Sequence, residues 1–113
     1  MKITKDEMRC PCCGKEWTDE EFYSRINRAR NISGVPHIIN SGCRCIEHNK
    51  SVGGVETSSH LIGCAADIKA TNNHSRFMIL CGLILAGFSR IHIGDNFIHV
   101  DSDRNKTQEV IWR

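Results

Sequence analysis

Apolar positions recur along this chain in two rhythms, helical and extended, and a long stretch between them follows neither. Phe22, Ile26 and Ala29 fall at helical spacing. Ahead of them, Thr18-Asp19-Glu20-Glu21 fits a capping box with acids in the first turn. Arg28 and Arg30 suit the far end of that helix, and Gly34 with Pro36 stops it. Residues 74–86 are apolar almost all round (Met78, Ile79, Leu80, Leu83, Ile84, Leu85), which predicts the most buried helix, capped by Asn72 or Asn73 and ended by Gly87. Shorter apolar runs predict strands at 37–40, 64–70, 89–93 and 97–102, the last two joined in a hairpin by Gly94-Asp95-Asn96. Residues 41–63 are rich in Ser, Gly, Asn and His, with a single helical turn near 46–52. So long an irregular stretch in a small domain is a candidate functional loop. Residues 1–17 form a polar arm with three cysteines, and residues 18–113 read as a single domain. The order helix, strand, loop, strand, helix, hairpin predicts an α+β fold, a small antiparallel sheet with helices packed on it.

A length of 113 residues fits one domain, and a net charge of +2 offers no basic footprint for nucleic acid or a membrane surface. The longest apolar run, Phe77 to Phe88, is interrupted by Gly82 and Gly87 and is too short to span a bilayer. Residues 1–9 lack the apolar centre of a secretory signal, so the chain is expected to be made in the cytoplasm and to reach any outside target after release by another protein. It is expected to act as a monomer. Seven Cys and six His make metal binding the first chemical question, and the odd Cys number leaves at least one thiol outside any internal disulfide.

Two segments carry the chemistry. In the strand around Asp67, a period of two puts Ala66, Ile68 and Ala70 on one face and Asp67 and Lys69 on the other. In 97–102, Ile98 and Val100 face the core while His99 and Asp101 face away. If the two strands are neighbours, Asp67 and His99 share a face, and His60 can return over it through a turn at Gly63. Two neutral imidazoles and one carboxylate suit zinc with one position open, the donor set of a hydrolytic site.

The spaced motifs agree with one family. Ser41-Gly42-Cys43-Arg44-Cys45-Ile46-Glu47-His48-Asn49, Val52-Gly53-Gly54, Ser58-x-His60-x-x-Gly63-x-Ala65-x-Asp67 and Ile98-His99-Val100-Asp101 resemble the zinc D-alanyl-D-alanine carboxypeptidases. These are cell-wall metallopeptidases that share a fold with the hedgehog signalling domain and include small bacteriophage and prophage enzymes. The resemblance spans roughly residues 20 to 102. It implies one catalytic zinc on His60, Asp67 and His99, a substrate-holding Arg at Arg44, and peptidoglycan peptides as substrate. Cys43 stands where the family has an aromatic residue. Ser58 either touches substrate or bonds the loop backbone.

The proton-transfer group is less clear in the pattern. Family members often carry an acid three residues before the last zinc His, and here that position is Asn96. Asp95 is the first candidate, His92 the second, and Asp101 could act or could orient a ligand. A non-catalytic, zinc-stabilised binding module therefore stays beside the enzyme as an alternative. Cys10, Cys12 and Cys13 resemble half of a zinc knuckle, with Cys43 and Cys45 as the other half. A second, structural zinc, a disulfide and free thiols all remain open there. Cys64 and Cys81 read as buried small hydrophobes. His37 and His48 read as structural or surface residues, and His74 as an exposed residue near a helix start.

Overall fold

A computed structural model describes residues 2–113. Helix α1 spans Glu20–Ser33, with Asp19 rather than Thr18 as its N-cap: the Asp19 carboxylate accepts the Phe22 N–H. Thr18 is diverted, its N–H donating to Glu16 and its hydroxyl lying against the Cys43 thiol. Gly34 closes α1 in the left-handed conformation, φ 70°. Strand β1 (Ile39–Ser41), a short helix α2 (Ile46–Ser51), strand β2 (Ala65–Lys69), helix α3 (Asn73–Leu85) and strands β3 (Arg90–Ile93), β4 (Phe97–Asp101) and β5 (Val110–Trp112) follow. Single turns of 3-10 helix stand at Lys5–Met8 and Ser59–Ile62.

The sheet order is β1-β2-β4-β3-β5. Four strands are antiparallel, as expected, but β5 runs parallel to β3 at one edge and makes the sheet mixed. Period-two alternation divides the sheet. Ala66, Ile68, Ile91, Ile98 and Val100 point into a core shared with Phe22, Ile26 and Ala29 of α1 and Ile79 and Leu83 of α3. Gly82 lets the two helices approach, since a Cβ there would lie 2.5 Å from the Ala29 carbonyl oxygen. The all-round burial expected for α3 is not found. Ile79, Gly82 and Leu83 are buried, whereas Phe77, Ile84 and Leu85 are exposed. One layer of helices on one sheet face leaves the outer side of α3 uncovered among the described residues.

The arm is folded onto the body rather than extended from it. Ile3, Met8 and Cys10 are buried, Ile3 N–H donates to Asn27, and Met8 O accepts the Cys43 N–H. Gly42 passes so close to Met8 that a Cβ would lie 2.8 Å from the Met8 backbone.

Candidate metal centre and cavity

The sheet face away from the helices presents Asp67 from β2, His99 and Asp101 from β4, Arg90 and His92 from β3 and Trp112 from β5. Asp67 and His99 are direct cross-strand partners, and so are His99 and His92, and His92 and Trp112. The loop expected to be functional folds over this face. Ser58 caps the turn Ser59–Ile62, its hydroxyl accepting the His60 N–H, and Gly63 ends the turn at φ 73°. That turn lowers His60 onto Asp67.

Three donor atoms converge there. His60 Nε2 lies 3.3 Å and His99 Nδ1 2.9 Å from the same Asp67 oxygen, Oδ1. The outer nitrogens are committed elsewhere: His60 Nδ1 donates to the Gly42 carbonyl at 2.7 Å, and His99 Nε2 donates to Asp101 Oδ2 at 2.8 Å. With its proton fixed on Nδ1, His60 turns a lone pair towards a carboxylate oxygen, an arrangement that needs a cation or a shared proton between the two atoms. His60, Asp67 and His99 therefore fit a zinc ion by donor type, by proximity and by the carbonyl and carboxylate that orient the two rings.

The charges agree with this. Burial opposes the Asp67 carboxylate, but the His60 and His99 rings beside it outweigh that and hold its pKa well below the usual carboxylate range. Burial likewise opposes a charged His99, yet its bonds to Asp101 and Asp67 raise its pKa. Asp101 is itself buried and is kept ionised by His99, by the Asp103 N–H and by Arg90, whose Nε donates to it at 2.7 Å. Metal binding would thus displace a proton from the cluster.

Around this centre is an open cavity of about 470 Å³. Arg44 stands in its wall, held by Ser41 (3.0 Å) and Asn49 (3.3 Å), with Nη2 3.2 Å from Asp67 Oδ2. Trp112 forms another wall, stacked parallel on His92 with ring centroids 5.4 Å apart. Lys106 adds a further cation beside Arg44 and Arg90, its ammonium donating to Ser59 Oγ. Ser58 lines the cavity but spends its hydroxyl on the turn. Asp95 is exposed in the β3–β4 turn and lines a separate depression with Gly94 and Arg113, whereas His92 borders both spaces. Asn96 is exposed and its carbonyl accepts the Ala70 N–H. Trp112, Arg90 and Lys106 escaped the sequence reading. The alternation in Val110-Ile111-Trp112 was the available signal for Trp112.

The cysteines separate into two places. Cys10, Cys13 and Cys45 have their sulfurs within 4.8 Å of one another, with Cys12 beside them. Cys43 stands apart, buried, its sulfur accepting the Trp17 N–H. Cys64 is buried, which pushes its thiol up to about 11; Cys81 is only partly so.

Two imidazoles and one carboxylate gathered at the floor of an open cavity form the kind of donor set that metallohydrolases use. The model of the family Peptidase M15 matches residues 1–101, and the chain belongs to that family of zinc-dependent peptidases. Comparison with curated proteins gives no significant match.

Proposed function

We propose that the chain hydrolyses peptidoglycan stem peptides next to a D-amino acid, as a carboxypeptidase or endopeptidase, with zinc on His60, Asp67 and His99. The observation that carries this reading is the pair of outward hydrogen bonds, His60 to Gly42 and His99 to Asp101. In the neutral form of each ring, these bonds turn the unprotonated nitrogen towards Asp67, where a metal would replace the shared proton. Bound there, zinc would supply a Lewis acid that acidifies water and polarises a carbonyl.

The chain's own groups account for the rest. Arg44 offers its guanidinium to a peptide carboxylate or a developing oxyanion, pre-positioned by Ser41 and Asn49 so that little side-chain freedom is lost on binding. Trp112 supplies a flat apolar wall for the substrate backbone. His92, fixed by its stack on Trp112, is the residue in the cavity wall able both to take a proton and to return it to a leaving amine. Asp101 holds His99 in the metal-binding tautomer and is a positioning residue. The setting proposed is the bacterial cell wall, reached after release by another protein.

The test is digestion of purified cell wall, and of a synthetic stem peptide ending in two D-alanines, with mass spectrometry for released D-alanine or new amines. Zinc-loaded protein should yield one of these, and His99→Ala should yield neither. No product from correctly folded, zinc-loaded protein would overturn the enzyme reading. The second reading, a zinc-stabilised cell-wall-binding module, is favoured by one observation: Asn96 and Asp95 both lie outside the cavity, so no acid stands where the family often has one. Wall binding without cleavage would support it.

A further inference from the structure

The arm and the loop after β1 meet at sulfur. Residues 10–14 turn sharply, with Gly14 N–H donating to Cys10 O, Cys10 N–H to Lys15 O, and Gly14 at φ 73°. This turn aims backbone N–H groups at one thiol. Cys10 Sγ receives the N–H of Cys45 at 3.4 Å, and the N–H groups of Cys12 and Cys13 lie close to it. Cys45 repeats the device as the N-cap of α2, its sulfur accepting the His48 N–H at 3.4 Å. A thiolate held by several N–H donors keeps its charge and still has lone pairs to give.

The placement suits a metal. Four sulfurs at the usual zinc–sulfur distance of about 2.3 Å are about 3.8 Å apart along a tetrahedral edge. Cys10, Cys13 and Cys45 already lie within 4.8 Å of one another. Cys12 is exposed beside the Cys45 thiol, where a turn of its side chain would bring it to the fourth position.

We propose that Cys10, Cys12, Cys13 and Cys45 bind a second zinc ion, structural in role, that fastens the arm to the start of α2. The proposal stands independently of the peptidase reading. Its consequence reaches the cavity through the backbone: Cys45 follows Arg44, Met8 O holds the Cys43 N–H, and Gly42 O holds His60. The segment fixed by the sulfurs is the segment that orients Arg44 and one ring of the other centre.

Metal content and cobalt spectra test this on the full chain, purified without reductant. Wild-type protein should carry about two zinc ions per chain, and His60→Ala/His99→Ala and Cys10→Ser/Cys13→Ser about one each. Cobalt-loaded His60→Ala/His99→Ala should show the near-ultraviolet thiolate-to-cobalt band, and this variant decides the matter even if the Cys variant fails to fold. Cys12→Ser should release cobalt to a chelator at least about 10-fold more readily. Absence of the band from the His variant overturns the site. So does the loss of two titratable thiols from denatured, chelator-treated wild-type protein, which would reveal a disulfide. Unchanged cobalt affinity in Cys12→Ser overturns the four-thiolate set.

Discussion

Asp101→Asn should weaken zinc binding without touching a metal ligand. Asp101 Oδ1 accepts from Arg90 Nε at 2.7 Å and from the Asp103 N–H at 3.1 Å, while Oδ2 accepts from His99 Nε2 at 2.8 Å. Asn fits the same space, and its carbonyl oxygen keeps the first two bonds. Its NH2 group then occupies the place of Oδ2 and points at His99 Nε2. Two donors cannot face one another, so the neutral ring moves its proton to Nδ1, the atom that lies 2.9 Å from Asp67. A ring protonated at Nδ1 has no lone pair for the metal. Recovering the useful tautomer costs the amide–imidazole bond, about 1.4 to 2.7 kcal/mol, or about 10- to 100-fold in affinity. Competition with a chromophoric chelator measures this, with thermal unfolding of the metal-free protein as a parallel readout. Asp101→Ala provides the contrast. It imposes no tautomer, so zinc affinity should fall less than in Asp101→Asn. It leaves Arg90 buried without its partner, so stability should fall further, by about 3 kcal/mol or more. Zinc binding of wild-type strength in Asp101→Asn, or weaker binding in Asp101→Ala than in Asp101→Asn, would refute the tautomer argument.

Other consequences can be checked separately. His92→Ala should lower kcat by about 10²-fold with zinc content retained, while Asp95→Asn should stay near the wild-type rate; the opposite pattern would move proton transfer to the β3–β4 turn. Gly82→Ala gains about 1 kcal/mol of helix propensity, but its Cβ meets the Ala29 carbonyl, so Tm should fall; a rise would mean the α1–α3 contact yields easily. Burial beside Arg30 lowers the His37 pKa to about 4, so the unfolded chain takes up a proton that the folded one refuses. Stability tied to His37 is therefore complete above about pH 6.5 and is lost as pH falls towards 4, by about 3 kcal/mol in all. His99, with its raised pKa, contributes in the opposite direction, being most stabilising at low pH, so the comparison is between wild type and His37→Gln. Urea midpoints should converge as pH drops through that window, and a constant difference would refute the assignment.

The site was legible in the sequence where chemistry and strand period coincide. Asp67 and His99 each stand between core residues, so alternation alone placed both on the outer face, and β2–β4 pairing then made them direct partners. Asn72 and Gly87 likewise bracket α3 closely. What failed depends on contacts that period and composition do not show. Thr18 has the side chain of a cap but is taken by Glu16 and Cys43. The apolar surround of α3 says nothing about how many layers will cover it. β5 could not be placed parallel to β3 from three residues, and with it went Trp112 as a cavity wall. Asp95 and His92 are three residues apart, and each is able to accept a proton. Only the turn geometry puts one outside the cavity and the other on its wall.

The sheet order carries a consequence for how the molecule comes into being. β4 is the fourth strand made, yet it lies at the middle of the sheet, between β2 and β3. β2 must wait with an open edge while α3 and β3 are synthesised, and its partner arrives only with residues 97–101. The same late strand delivers His99 and the Asp101 that orients it, while Trp112 arrives later still. An incomplete chain thus holds only two of the three converging donors and lacks the centre of its sheet. Completion of the sheet and convergence of the three donors are one closing event, so a chain that stops short of residue 97 has neither.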